Sequence, residues 1–352
     1  MNKKCIFFIQ SEGRGHISQA IALKQIFDQM NIEVIGVYFG KNHMDRNHDW
    51  ALKELNVKNT GSYYSPNFVY HNNKISLWRT AYKTIKNLKN IKTSINSIEQ
   101  IVKQHNPDFV VNFYEPMFGL ATFSLNNTSV AIGHQFMISH PCYPKNLPIQ
   151  RFFIRCFNKI VAGKSKMKLA LSYYPNNDYN DIKVSPPLLR TDILTCKPNI
   201  IKDKITVYLV NSYLLYKLKY PAYIYYPEKQ FTIYNEDVIS KNDNVECKQV
   251  GPEFVNDIIN SEYVICSGGF ETTCESIFLN KKILAVPVEN HAEQILNTID
   301  AKEYNLIYTN SDYNMTALFQ NPYKPFKYNN IKISQNFMKN SVEYYKNIFF
   351  NL

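Results

Sequence analysis

Residues Ser261–Thr298 read SEYVICSGGFETTCESIFLNKKILAVPVENHAEQILNT, and the fold is decided there. The apolar run Tyr263-Val264-Ile265-Cys266 suits a buried strand. Ser267-Gly268-Gly269 after it suits a tight turn in which the backbone can come close to a ligand. From Glu271 to Leu279 the pattern is helical, with Thr272 and Thr273 in the first turn. Ile283-Leu284-Ala285-Val286-Pro287-Val288 reads as a second strand, and Glu289-Asn290-His291-Ala292-Glu293-Gln294 leads into a second helix. This is a βαβ unit. Free backbone N–H groups and the positive end of the helix dipole converge at the turn, forming a cradle for phosphate at the carboxyl ends of the strands.

The same organisation recurs at the start of the chain. Cys5-Ile6-Phe7-Phe8-Ile9 is a buried-strand signal, Ser11-Glu12-Gly13-Arg14-Gly15-His16 a glycine turn, and Ile17, Ala20, Ile21, Leu23, Ile26 and Phe27 mark the core face of a helix. A dinucleotide fingerprint would place a third glycine where Ser18 stands, which weakens a nicotinamide reading. Further strands are expected at Glu33–Phe39, Pro107–Phe113, Thr128–Gly133 and Leu169–Tyr174, and a short helix at Trp50–Asn56. Asn59–Asn73 reads as a long loop, and Ile75–Gln104 as one long helix carrying Lys83, Lys86, Lys89, Lys92 and Lys103. Ile149–Lys168 mixes aromatic and basic residues in an amphipathic pattern that could face solvent or touch lipid headgroups.

Ser185-Pro186-Pro187 breaks the pattern, and a domain junction is expected between about 180 and 204. Beyond it, strands are expected at Ile205–Val210, Ala222–Tyr226, Phe231–Tyr234 and Val245–Val250. A turn at Gly251-Pro252-Glu253-Phe254 enters the helix Val255–Asn260, and a last helix runs from Ile333 to Asn347. The expected class is α/β, with two parallel-sheet domains over residues 1–185 and 200–330 and a cleft between them. Residues 333–352 are free in this scheme to pack back on the first domain.

The chain has 352 residues, 45% of them hydrophobic, which suits a globular protein of two domains. Its 40 Lys+Arg against 29 Asp+Glu give a formal charge of +11. That excess is either a matter of Lys-rich composition or an attraction to anionic ligands and anionic membrane surfaces. The lysines are dispersed and no recognition motif appears, so nucleic acid is not an expected partner. Seven cysteines without CxxC spacing indicate neither a zinc site nor a disulfide framework, and suit a reducing compartment. No apolar run reaches signal or transmembrane length, so the expected location is the cytoplasm, at the inner face of the membrane if lipid is touched.

With both glycine turns and the SGG…E…P…EQ…N pattern in view, the chain resembles GT-B glycosyltransferases. The likeness is to UDP-glycosyltransferases and to the peptidoglycan N-acetylglucosaminyltransferase family. It is carried by Gly13, Arg14, Gly15 and His16, and by Ser267, Gly268, Gly269, Thr272, Glu275, Pro287, Glu293, Gln294 and Asn297. The resemblance implies two Rossmann-like domains and transfer of a sugar from a UDP-sugar to a hydroxyl acceptor, inverting and without metal. It calls for no cofactor. The acceptor would be a saccharide, a glycolipid or a small molecule, and a cell-envelope saccharide suits the likeness.

Residue roles follow from the same resemblance. Glu275 would bind the ribose hydroxyls, Glu293 and Gln294 the donor sugar, and Gly251 with Phe254 the base. Many relatives carry a phosphate-binding His where Ser267 stands. Here the amides of Gly268 to Phe270, with the hydroxyls of Ser267, Thr272 and Thr273, would hold the diphosphate. His16 is the candidate base, since imidazole suits proton removal near neutral pH. Glu115 and His134, both just past strand ends, are candidates to orient it or to meet the acceptor beside Gly13, Arg14 and Gly15. The alternatives are a nucleotide-sugar epimerase of the same fold and a non-catalytic partner-binding protein.

Overall fold

In the computed structural model the described residues are 3–41, 49–67, 69–71, 74–208, 225–235, 240–242, 244–251, 253–309, 314–319 and 328–352. They fall into two compact units. Unit 1 comprises Met1–His71, Ile75–Arg190 and Asn340–Leu352, and unit 2 comprises Asn72–Lys74 and Thr191–Lys339.

Unit 1 is built on a seven-stranded sheet. Its strands are β1 (Lys4–Gln10), β2 (Glu33–Lys41), β3 (Asn59–Tyr64), β6 (Phe109–Phe113), β7 (Ser129–Ile132), β8 (Met167–Leu171) and β9 (Ile182–Ser185), in the order β3-β2-β1-β6-β7-β8-β9; the two-residue strands β4 (Tyr70–His71) and β5 (Lys74–Ile75) pair separately. Every pairing in the seven-stranded sheet is parallel. Parallel strands need crossovers, supplied here by α1 (Arg14–Gln29), α2 (Asp49–Leu55), α3 (Leu77–Lys86), α4 (Leu88–His105), α5 (Pro116–Ala121) and α6 (Pro148–Ala162). The core on one side of the sheet joins Ile6, Phe8 and Val110 to Ile98 and Val102 of α4 and Met117 and Phe118 of α5.

Unit 2 repeats the plan. After α7 (Thr191–Thr195) come β10 (Ile201–Tyr208), β11 (Gln230–Asn235), β12 (Ser240–Asn242), β13 (Val245–Gln249), α8 (Glu253–Asn260), β14 (Ser261–Cys266), α9 (Phe270–Phe278), β15 (Lys282–Ala285), α10 (Ala292–Glu303) and β16 (Tyr308–Thr309). The sheet order is β12-β13-β11-β10-β14-β15-β16, parallel except at its β12 edge. The chain closes with α11 (Thr316–Phe319), α12 (Tyr328–Lys339) and α13 (Ser341–Phe350). The expected class, α/β with two Rossmann-like parallel sheets of the GT-B kind, is the one observed.

The local expectations need three corrections. Residues 59–64 are not loop but the edge strand β3, which pairs only with β2 and so tolerates a polar sequence. The helix expected over Ile75–Gln104 is two, broken at Asn87, whose amide donates to the Lys83 carbonyl and competes with the helix ladder. Residues 182–185, at the end of the expected first domain, form β9 of the first sheet. The last helix is divided at Asn340 into α12 and α13. The expected strand at 222–226 falls largely outside the described residues, as do Val210 and Pro252.

The last helix, α13, packs on unit 1. Phe349 is fully buried, with its ring 4.7 Å from that of Phe27 and 5.6 Å from that of Phe109. Tyr345 donates its hydroxyl to the Pro186 carbonyl at 2.7 Å. Replacing Phe349 by Ala removes a buried aromatic where three elements meet. The variant is expected to lose about 3–5 kcal/mol of stability, read from the urea midpoint of unit 1's transition.

Candidate functional site

Each sheet has one place where neighbouring crossovers leave in opposite directions, and loops there diverge to open a crevice. In unit 1 it lies between β1 and β6, since β1 continues to β2 on one side while β6 continues to β7 on the other. The turn after β1 carries Gly13, Arg14, Gly15 and His16. Gly13 is the N-cap of α1 and provides no side-chain hydrogen bond, and α1 has no acid in its first turn. The Arg14 guanidinium lies 4.2 Å over the Trp50 ring.

His16 is held from three sides. Its Nδ1 lies 3.3 Å from Gln19 Oε1, its Nε2 3.5 Å from Gln135 Nε2, and its ring stacks on Tyr114 at 5.5 Å. A glutamine carbonyl can only accept and a glutamine NH₂ can only donate, so both contacts are satisfied by one tautomer. Nδ1 carries the proton and Nε2 the lone pair. Burial lowers the pKa of His16 from 6.5 to about 4, against a smaller upward effect of the Gln19 bond, so the ring is neutral at physiological pH.

The partners of His16 are themselves tied together. The Tyr114 hydroxyl donates to Asn158 Oδ1 at 2.6 Å, and Asn158 Nδ2 donates to the Gln135 carbonyl at 2.7 Å. Tyr114 holds φ at 55°, the left-handed region that a bulky side chain rarely adopts. Tyr114, Asn158 and Gln135 are therefore linked to one another around the imidazole, and Gln19 meets it at Nδ1. Sequence reasoning reached only His16 and, in Asn158, missed the signal of a lone amide on the core face of α6.

Glu115 has a different surrounding. It is fully buried, caps α5 by accepting from the Phe118 N–H at 2.8 Å, and accepts from Ser65 Oγ at 2.6 Å. Gly40 makes room for it, since a Cβ there would lie 2.6 Å from Glu115 Oε1. Burial raises its pKa from 4.5 to about 7, although its hydrogen bonds pull the other way. It is not among the partners of His16. His134, also buried, is bound through Nδ1 to the Leu171 carbonyl at 2.7 Å, with its ring 5.3 Å from that of Tyr173.

In unit 2 the corresponding place lies between β10 and β14. Gly268 has φ +72°, and a Cβ there would lie 2.6 Å from Thr298 Cγ2 and 3.2 Å from the Gln294 carbonyl, so glycine is required twice over. Gly269 is the N-cap of α9, offers no side-chain bond and has open space around its Cβ position. The N-cap itself therefore contributes no side-chain bond to α9, whose helix begins at Phe270. Asn297 Nδ2 donates to the Gly268 carbonyl and pins the turn.

The remaining residues of this turn divide between cradle and support. Ser267, Thr272 and Glu275 are all buried near the helix start. Thr273 donates its hydroxyl to the Gly269 carbonyl at 2.8 Å, which steadies the turn from inside. Gln294 Oε1 accepts from the Val288 N–H at 2.9 Å, closing the loop between β15 and α10, while Glu293 is half-buried in the first turn of α10. His291 caps α10, and burial lowers its pKa from 6.5 to about 4. Gly251 is open, whereas the Phe254 ring is packed between Tyr208 and Tyr234 at 5.1 and 5.0 Å in the core. Among the described residues no group of three or more His, Cys, Asp or Glu could hold a metal ion.

Comparison with known proteins adds the following. A family model described as "Glycosyl transferase family 1" matches residues 3–320. No curated protein sequence matches the chain. Among solved structures, the calicheamicin glycosyltransferase CalG4 is similar over 100% of this chain and 98% of its own, with TM-score 0.66 at 12% identity. Acinetobacter baumannii MurG aligns over 100% of both chains with TM-score 0.54 at 13% identity. S. aureus MnaA, in its UDP co-structure, aligns over 99% and 98% with TM-score 0.61 at 12% identity. At these identities the likeness is one of fold.

Glu115 gives this geometry a pH signature. The folded chain keeps a proton on it between about pH 4.5 and 7 that the unfolded chain has lost, so across that window its contribution to stability falls as pH rises. Glu115→Gln removes the titration and keeps an oxygen for the cap. The variant is expected to gain on the wild type by up to ~3 kcal/mol between about pH 5 and about pH 8, read as the difference of two urea titrations. Taking the difference cancels the opposite titrations of His16 and His291. Equal pH profiles would show that Glu115 is ionised throughout.

Proposed function

We propose, on the premise that this chain belongs to glycosyl transferase family 1, that it moves a sugar from a UDP-sugar to a hydroxyl acceptor. The observation that carries the reading is the glycine turn of Gly268 and Gly269 leading into the start of α9, at the switch point of the second sheet. Amides at such a helix start would meet a diphosphate, and the helix dipole would favour the charge that grows on a leaving UDP. Glu275 would accept from the ribose diol, Glu293 and Gln294 would meet the donor sugar, and the backbone at Gly251 would face the base.

The first unit would bind the acceptor at Gly13, Arg14 and Gly15. The acceptor oxygen attacks the anomeric carbon and forms the new C–O bond. The old bond to the β-phosphate oxygen breaks, its electron pair leaves with UDP, and the acceptor proton passes to His16 Nε2. Attack from the face opposite the leaving group inverts the centre. The tautomer set by Gln19 and Gln135 supports this role, because Nε2 is the unprotonated nitrogen and the acceptor hydroxyl would replace the Gln135 amide on its lone pair. A pKa of about 4 leaves the base unprotonated but weak, and a donor diphosphate brought near would raise it toward neutrality. Glu115 would serve the site by fixing α5 and, with it, the backbone of Tyr114. The proposed mechanism asks for no metal, with the α9 amides taking the charge.

Two measurements test this. UDP at about 100 times its dissociation constant is expected to add about 2.7 kcal/mol of stability, and Glu275→Ala to weaken binding without unfolding the chain. No effect of UDP or of any nucleotide sugar on the melting temperature would sink the donor assignment.

His16→Ala is expected to stay folded and keep UDP binding while transfer in the presence of EDTA falls by about 10²–10⁴. Unchanged turnover in a folded variant would move the base elsewhere. Sugar epimerisation with donor alone would favour the epimerase reading instead.

A further inference from the structure

Two helices of unit 1 present their apolar sides to solvent. On α3, Trp78 is 88% exposed and Ile85 65%, with Tyr82 between them, and Leu88 is exposed at the start of α4. Positions 78, 82 and 85 fall on one side of a helix. On α6, Ile149 is 69% exposed and Phe152 62%, with Phe153 and Ile160 beside them, while Asn158, Val161 and Ala162 face inward. A surface helix ordinarily does the reverse. The helices α3, α4, α5 and α6 pack successively against one another, so both stripes belong to one helical layer. Phe123, just past α5, adds a further exposed ring.

The charge on α3 and α6 has one sign. Neither α3 nor α6 contains an Asp or Glu, and they carry Arg79, Lys83 and Lys86, and Arg151, Arg155 and Lys159. Lys86 Nζ lies 4.7 Å over the Tyr82 ring, and Lys164 Nζ 5.5 Å over that of Phe123. Long basic stems laid along aromatic rings put apolar surface and cations at one level, as a headgroup region requires. Among the described residues no helix is long and apolar enough to cross a membrane. A second copy of the chain on this face would set cations against the same cations. An anionic lipid surface answers both the apolar stripes and the charge.

We propose that this layer of unit 1 docks on an anionic lipid bilayer, with Trp78, Ile85, Ile149 and Phe152 entering the headgroup region and the arginines and lysines meeting lipid phosphates. The docked chain would draw its acceptors from the bilayer surface, lipid-linked saccharides being the class that fits. That extension rests on the proposed sugar transfer, whereas docking is read without it.

The test uses the whole chain and vesicles of phosphatidylcholine with or without phosphatidylglycerol. Sedimentation with the anionic vesicles at low salt, its loss at high salt, and a blue shift of tryptophan emission on binding are expected. Trp78→Glu with Phe152→Glu, and separately Arg155→Glu with Lys159→Glu, are expected to lower apparent affinity about tenfold or more. Phe350→Glu, exposed but outside the layer, is expected to bind as wild type. All these side chains are at least partly exposed, so melting temperatures report whether each variant is folded. No sedimentation of the wild type with anionic vesicles would overturn the proposal, as would equal binding by all folded variants. It would also fall if the face mediated self-association that Trp78→Glu abolished while vesicles bound nothing.

Discussion

Parallel strand pairing is the constraint from which the rest follows. A strand cannot be joined to a parallel neighbour by a hairpin, so each sheet sends its chain back through helices and delivers every parallel strand with its carboxyl end on the same edge. Where β1 and β6 stand side by side, and where β10 and β14 do, the crossovers run in opposite directions and the following turns separate. The two glycine turns occupy those places for that reason. In unit 2 the constraint reaches single atoms. The turn must pass so close to α10 that a methyl group at Gly268 would overlap Thr298, and the same residue must adopt a left-handed backbone.

Around His16 the structure spends stability on placement. An aromatic residue in the left-handed region costs on the order of 1–3 kcal/mol, and Tyr114 is kept there by contacts on several sides. Its ring meets His16, Phe136 and Phe157, and its hydroxyl is bound by Asn158. Glu115, the next residue, is anchored by the α5 amide and Ser65. A strained residue between two anchored ones has little freedom, and the imidazole stacked on it inherits that rigidity. Gln19 rather than a carboxylate faces Nδ1, so its small upward pull does not offset burial and the imidazole stays neutral in the resting chain.

The central strands and both glycine turns were legible because strands paired on both sides are continuous apolar runs of the kind seen at Phe7, Phe8, Ile265 and Leu284. Edge strands were not. β3 is paired on one side only, and its Asn, Ser and Tyr residues look like loop until β2 is set beside them. Asn87 resembles any polar residue in a helix, and only its bond to the Lys83 carbonyl reveals the break. At the site, His16 could be found from its turn, but Tyr114, Gln135 and Asn158 come from three other segments. Their relation to His16 is tertiary, and no spacing encodes it. Phe254 illustrates the converse: a position that fits a ligand pattern in sequence is occupied by core packing in space.

The return of α13 to unit 1 bears on how the chain is made. Synthesis runs from the amino terminus, and domains ordinarily fold in the order in which they emerge. Here the first unit leaves the ribosome with the faces of Phe27 and Phe109 still lacking Phe349, while all of unit 2 has yet to be translated. The second unit emerges whole before the first is finished. Vectorial folding is thus inverted, and the nascent amino-terminal half carries an open aromatic seam until α13 has been made.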